Sequence, residues 1–482
     1  MIKTSFLGFI LFCIALFTSC NSSETSGDDT SDTTDELPQR ALQEILDRGK
    51  LIAYTENSVT SYFIYRGQPM GFDYDMFSKF AEQLGVELEI KLVTDFDAVI
   101  DSLKEERGDL AGGNYTITQD RKKRVDFATP LTKTRQVLVQ RLPENPYQLT
   151  QQQIQDSLIN DPIELAGKTV YVRKSSSFYD RLINLEKEIG QDINIVEAPL
   201  DWETEDLIRK VSDGEIDYTV ADKNVGLVNQ LFYTNIDVNT PISFTQEIAW
   251  FADKQSNALL DTLNTWLNEY KKTAEYAVIY AKYFKYRTQH KRRIDSDYTL
   301  LDGGEISPYD DLIKKHASDI NWDWRLVAAL IFKESKFNSD IESWAGAKGL
   351  MQVMPTTAEH YGYDPAGLYN PAKNIALGTK HLKWVSDYWY EQIADSVEAR
   401  KFALASYNAG IGHVKDAQRL ANVYDLDSTV WSENVETMLL NKSEPEYYRS
   451  DVVKHGYCRG REPVQYVQTI MNRYNDYKNF VD

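Results

Sequence analysis

The stretch Trp324-Arg-Leu-Val-Ala-Ala-Leu-Ile-Phe-Lys-Glu-Ser-Lys-Phe337 reads as a helix whose apolar stripe ends in an acid. Val327, Leu330 and Ile331 fall at i, i+3 and i+4, and Glu334 continues the series at i+7. A glutamate on that stripe points toward the core. There its charged form is disfavoured and its pKa rises, the condition for a general acid working near neutral pH. The helix alone also permits a plainer role, a stripe-edge glutamate that snorkels or pairs with Lys333 or Lys336. Residues downstream weigh between the two.

The chain has 482 residues, 42% hydrophobic and 26% charged, which suggests two to four domains with real cores. A formal net charge of −20 argues against a nucleic-acid partner. It fits a soluble domain or a neutral, sugar-like substrate, and 30 tyrosines and nine tryptophans supply stacking surface as well as core.

Residues 1–19 read as a signal peptide: Lys3, an apolar run from Phe6 to Phe17, then Thr18-Ser19 before Cys20. A dozen apolar residues is too short for a mature membrane span. The small residues directly before Cys20 resemble a bacterial lipobox, although Phe17 stands where leucine is usual. The resemblance implies cleavage before Cys20, lipidation of that cysteine, and anchoring to the outer membrane on the periplasmic side of the cell envelope. The alternative is an ordinary secretory signal with an incidental cysteine. Of three cysteines, only Cys458 remains beyond this segment, so neither a disulfide framework nor a zinc cluster is expected. Residues 20–40 are rich in Ser, Thr, Asp and Glu and read as a disordered tether.

Between residues 41 and 288, strands and helices alternate, as expected of α/β units around a largely parallel sheet. Leu51-Ile-Ala-Tyr54, Val86–Val93 and Gly167-Lys-Thr-Val-Tyr-Val172 read as strands, and Met76–Leu84 and Phe96–Lys104 as helices. Gly214-Glu-Ile-Asp-Tyr-Thr-Val-Ala-Asp222 mirrors Gly108-Asp-Leu-Ala111. With Gly71-Phe-Asp-Tyr-Asp75, Thr116-Ile-Thr-Gln-Asp-Arg121 and Val125-Asp-Phe-Ala-Thr-Pro130, this segment resembles the periplasmic solute-binding proteins for amino acids. The resemblance implies a two-lobed fold in which Arg121 grips a ligand carboxylate, Thr116 hydrogen-bonds the ligand, and Asp222 takes its amino group. Lys174-Ser-Ser-Ser-Phe178 departs from the glycine-rich loop of many such binders. Ser175 is the candidate contact there, beside helix-start donors that suit an anion. The ligand is an amino acid or a peptide bearing both charged termini. Residues 289–305, basic at His290-Lys-Arg-Arg293 and then glycine-rich, read as a solvated linker.

The segment 306–482 is helical in pattern, with a helix expected to start at Ser307-Pro308. Beyond Glu334-Ser335 come Gly349-Leu-Met-Gln352, Asn370-Pro-Ala-Lys-Asn-Ile-Ala-Leu-Gly378, Ala405-Ser-Tyr-Asn-Ala-Gly410 and Glu462-Pro-Val-Gln-Tyr-Val467. In this order they resemble the soluble-type lytic murein transglycosylases, whose fold is goose-lysozyme-like and mainly α. The resemblance implies an enzyme that cleaves peptidoglycan glycan strands at the MurNAc–GlcNAc β-1,4 bond and leaves 1,6-anhydromuramyl ends. Most glycosidases need two carboxylates. Here the motifs offer no obvious second one, and in the family a single glutamate, matching Glu334, acts as acid and then base.

By the same resemblance, Met351 makes apolar contact in the cleft and Gln352 bonds an acetamido sugar. Tyr407 and Asn408 lie near the acid, with Tyr407 orienting it or polarising the bond. Glu462 and Tyr466 line the other side. Plainer roles stand beside these: core packing for Met351, helix-end support for Ser335, a helix cap for Tyr407-Asn408, a structural part for Glu462. No cofactor is implied, and the six histidines show no metal-binding spacing. Two alternatives remain, a silent peptidoglycan or muropeptide sensor and a lysozyme-like hydrolase.

Overall fold

The computed structural model describes residues 36–481 except 94, 95, 106, 174, 175, 200, 201, 295, 302 and 303. The signal segment, Cys20 and most of the expected tether lie outside the described residues, as does Ser175; the last residues expected in the tether, 36–40, are instead the start of the helix Glu36–Arg48.

The chain builds a two-lobed α/β module followed by a helical domain. In the first lobe, Lys50–Thr55 runs parallel to Glu87–Leu92 on one side and to Leu110–Ala111 on the other. The helices Phe72–Leu84 and Phe96–Lys104 connect and cover these strands. The second lobe repeats the plan: Thr169–Val172 lies parallel to both Asn194–Glu197 and Tyr218–Asp222. Both sheets are mixed, where the strand–helix alternation suggested largely parallel ones. Gln136–Arg141 enters the second sheet antiparallel, and Phe251–Ala252 inserts antiparallel between Leu110–Ala111 and Asp126–Phe127 of the first. The cause is a chain that crosses to the second lobe and returns, its two passages paired as Thr132–Thr134 and Gln246–Ile248. Trp250, fully buried, fixes the return: its ring stacks on Phe77 at 3.9 Å and its indole N–H donates to Asp73 at 2.7 Å.

The expected linker is folded onto the first lobe. Its basic run lies in the helix Arg287–Ile294, with His290 wholly buried against Phe63 and Tyr283. Thr299–Leu300 then adds a strand to the hairpin of Phe63–Tyr65 and Gln68–Met70. The His290 ring, the packed Ile294 side chain and the Lys291 and Arg293 bonds to the Leu231 and Lys282 carbonyls dock an otherwise charged helix, which local composition hides. The next helix, Asp310–Ser318, begins later than Ser307-Pro308, because Asp310 accepts the backbone N–H groups of Ile306 and Ser307 and holds that segment as a turn.

In the helical domain, Trp324–Ser335 is central and buried continuously from Leu326 to Phe332. It packs between Asp310–Ser318 and the C-terminal helix Arg461–Lys478, which also carries Ser396–Ala409. Asp323 caps its start by accepting from the Arg325 N–H at 2.9 Å. Lys336 and Phe337, both at positive φ, stop it directly after Ser335, so Glu334 stands in its last turn.

The two parts touch. Gly67, at φ 72°, forms the hairpin tip of the first lobe, and a Cβ there would lie 2.7 Å from Phe337 and from the Tyr477 hydroxyl. Its carbonyl accepts from Tyr477 at 2.8 Å and from Arg473, whose guanidinium lies 3.9 Å over the Phe332 ring. Tyr62 donates to Asp476 at 2.8 Å, and Asn479 to the Ile90 carbonyl at 3.2 Å. The C-terminal helix is therefore shared between the helix Trp324–Ser335 and the first lobe.

Candidate active site

Glu334 meets Tyr466, not a lysine: the Tyr466 hydroxyl donates to Glu334 Oε1. Burial pushes the Glu334 carboxyl up to about 7, although the Tyr466 hydrogen bond and the charge of Lys333 both pull it down. No second carboxylate contributes to that shift. Tyr407 and Tyr466 are themselves held protonated, first by burial and then by the nearby Glu334 charge. The site thus gathers one proton-bearing carboxyl and two phenols.

The tyrosines make different contacts from those the resemblance implies. Tyr466 was expected on the far side of the cleft, yet it is the residue on the acid. Tyr407 donates instead to the Met351 carbonyl at 2.8 Å, fixing the Gly349–Gln352 turn. Met351 does not present its side chain to a cleft. It is wholly buried, and a Cβ on Gly378 would lie 2.4 Å from its sulfur, so this side chain is packing. Gln352 has a left-handed backbone, φ 47°, uncommon without glycine. Its side-chain N–H groups hold that shape by donating to Gly349 O at 2.9 Å and Ile341 O at 3.3 Å.

Ser335 is buried and donates back to Ile331 O at 3.1 Å, a helix-end role. Asn408 is exposed on the last turn of Ser396–Ala409. Glu462 is exposed at the start of the C-terminal helix and pairs with Arg459 at 3.5 Å. It is not in contact with Glu334.

Asn374 was missed. Buried in the helix Pro371–Tyr390, it accepts the Met351 N–H at 2.8 Å and donates to Lys348 O and Leu368 O at 2.9 and 2.7 Å. These three bonds clip the glycine-rich turn in place. Gly349 permits the close approach, since a Cβ there would meet Leu368 O at 2.3 Å. The signal was an asparagine on the apolar face of a helix, where an amide is tolerated only if its bonds are made. Next to Tyr407 lie His381, at 5.7 Å between rings, and Trp384, stacked on His381 at 5.8 Å and 54% exposed.

A second constellation lies between the lobes. Arg121, Asp222, Glu56, Glu205, Phe96, Tyr115 and Arg173 are among the residues that line one pocket. Thr118 caps the short helix Gln119–Lys122 that carries Arg121, whose guanidinium donates to Thr116 O at 3.0 Å and lies 4.4 Å over Phe96. Asp222 ends the strand Tyr218–Asp222 and is 1% exposed, with its Oδ1 unpaired. Thr116 is fully buried with an unpaired hydroxyl. The acids of Gly71-Phe-Asp-Tyr-Asp75 are structural: Asp73 holds Trp250, and Asp75 accepts from Lys282 and Tyr283, both at 2.8 Å.

Comparison with known proteins divides the chain in the same order. The family of bacterial extracellular solute-binding proteins, family 3, matches residues 51–286, and the transglycosylase SLT domain matches residues 311–428. Over 442 residues the chain is 34% identical to the membrane-bound lytic murein transglycosylase F of Desulfosudis oleivorans, covering 90% of this chain and 91% of that protein. It is 31% identical over 448 residues to the protein of the same name from Pseudomonas putida, covering 90% and 86%. A solved structure of an ancestral arginine-binding protein bound to arginine aligns at 27% identity and a TM-score of 0.41, over 49% of this chain and 99% of that one.

Proposed function

We propose a mechanism from one premise: the chain belongs to the family of membrane-bound lytic murein transglycosylase F and is a lyase acting on peptidoglycan. Glu334 is its single acid and base. Protonated near neutral pH, it gives its proton to the glycosidic oxygen as the C1–O bond between MurNAc and GlcNAc breaks. The resulting carboxylate takes the proton of the muramyl 6-hydroxyl while O6 bonds to C1. The sugar closes into a 1,6-anhydro ring, no water is consumed, and Glu334 is again protonated. The observation that carries this reading is a carboxyl raised to about 7 by burial with no carboxylate contributing to the shift.

Around it, Tyr466 occupies Oε1 and leaves Oε2 toward the bond to be cut. Tyr407 and Asn374 hold the Gly349–Gln352 turn, Gln352 Oε1 accepts an acetamido N–H, and His381 with Trp384 offers a stacking surface for sugar rings. Tyr466→Phe removes a hydrogen bond that favours the carboxylate, of the charged kind worth about 1.5–3 kcal/mol. The alkaline limb of kcat/KM against pH is then expected to move to higher pH, with a rate loss at the optimum of about tenfold or more. A limb moving to lower pH would remove Tyr466 from this role.

The relatives' shared name places them at a membrane. For this chain the proposal is a lipid anchor at Cys20 on the periplasmic side of the outer membrane, with residues 20–35 as a tether, 36–288 as the ligand-binding module, 289–305 as the connection and 306–482 as the catalytic domain. The module takes a muropeptide or amino-acid-like ligand, its carboxylate on Arg121, its amino group on Asp222, with Thr116 and Ser175 adding hydrogen bonds. Binding there modulates cleavage. In support, one helix bears Tyr466 on the acid and, two to three turns later, Arg473, Asp476 and Tyr477 on the first lobe. Calorimetry with muropeptides is expected to show Arg121→Ala binding at least about tenfold more weakly. Equal binding by both proteins contradicts the pocket assignment.

A further inference from the structure

The pocket between the lobes carries more acid than an ordinary zwitterion uses. Glu56, Glu205 and Asp222 line it, against Arg121 and Arg173. Arg173 is already engaged, 2.6 Å from Glu203 and 3.7 Å from Glu56. Glu56 also accepts from the backbone and side-chain N–H groups of Asn114, each at 3.2 Å. That leaves Arg121 facing Asp222, while Glu205 has only the charge of Arg173, which already lies against Glu203 and Glu56. Asp222 Oδ1 comes from the second-lobe strand. Glu205 Oε1 comes from the first turn of the helix Thr204–Asp213. Both atoms are buried, and neither has a donor among the described residues.

A buried carboxylate oxygen without a donor is costly. Burial first, and then repulsion from Glu56, pushes both Asp222 and Glu205 up to about 8. A cation entering between them supplies the missing donors and relieves that repulsion. One carboxylate and one amino group account for Arg121 and Asp222. Glu205 is then still unmatched.

We infer that the pocket selects a ligand with one carboxylate and two cationic groups, and that Glu205 receives the second cation. The inference rests on the reading that Arg121 and Asp222 hold the carboxylate and the α-amino group. Glu205 is a specificity residue, since only a cationic side chain on the ligand can hold it ionised against its burial, and a neutral polar one gains no ion pair there.

The test is calorimetry on the full chain with L-arginine and with L-citrulline, its neutral isostere. The unmodified protein is expected to bind arginine about 100-fold more tightly than citrulline. Glu205→Gln is expected to narrow that ratio to about threefold or less, and Arg121→Ala to weaken both ligands. Comparable binding of the two ligands by the unmodified protein overturns the inference and leaves the amino-acid site standing. A ratio unchanged by Glu205→Gln overturns the assignment of Glu205 in the same way. Failure of both ligands to bind the unmodified protein overturns the inference together with the site it rests on. The comparison of the two ligands needs no variant, so it does not depend on how Glu205→Gln folds.

Discussion

Glu334→Gln is expected to lower the turnover of purified peptidoglycan by at least about 10³-fold, because one group is lost from two proton transfers, each worth about 10²–10⁴. Binding of glycan should survive, since the amide keeps the shape and still accepts from Tyr466. Stability should move the other way. The folded carboxyl titrates near 7 and the unfolded one near 4.5, so the fold favours the protonated form. Its contribution is fully present below the unfolded pKa and is lost as pH rises through the folded one. Glutamine escapes that loss, and at pH 8 the variant should be more stable by on the order of 2–3 kcal/mol, less the weakened Tyr466 bond. Calorimetric unfolding at pH 5 and pH 8 measures this: a gain at pH 8 that shrinks at pH 5 is predicted. Near-normal activity in the variant would remove Glu334 from the chemistry.

The second large effect lies away from the acid. Lys442→Met is expected to destabilise the helical domain by about 3–5 kcal/mol, the range for breaking a buried pair. Lys442 and Asp416 are both fully buried, and the ammonium donates to Asp416 at 2.6 Å and contacts His413 Nδ1 at 2.9 Å. Asp416, on the helix Ile411–Val423, also accepts from Arg419 and from the backbone N–H groups of Lys454 and His455. One carboxylate thus ties a helix, the end of another and a distant loop. These donors hold it well below the usual carboxylate range. Its stabilisation is present above the ordinary carboxylate pKa and is lost as pH falls through the depressed one. The variant's deficit should accordingly be largest near neutrality and narrow in acid. Asp416→Leu combined with Lys442→Met should recover most of the stability, because no charge is then left buried alone. If Lys442→Met alone costs less than about 1 kcal/mol, the pair has no structural weight.

Much of the architecture was legible from local pattern. The apolar period placed the catalytic helix and pointed Glu334 inward, and the helix Phe96–Lys104 has the ends read from its residues. What escaped depends on pairs far apart in the chain. Tyr466 lies 132 positions from Glu334, and periodicity states which face of a helix is buried, not which residue it meets. The return strand at Phe251 and the docking of His290 are of the same kind, each involving an aromatic or imidazole ring that finds an apolar partner. Met351 was read as a cleft contact because a family motif carries a residue's position but not its rotamer, and the narrow space beside Gly378 is visible only in three dimensions. Glu205 carried no motif at all. It emerged from an oxygen left without a donor.

The most direct test of the single-carboxylate mechanism is the chemistry of its product. Mass spectrometry of sacculi digested by the purified protein is predicted to show strands ending in 1,6-anhydromuramyl residues, 18 mass units lighter than hydrolysed ends by the absence of one water, about the mass expected for an acid that also serves as the base. Strands ending in reducing muramyl residues would contradict it.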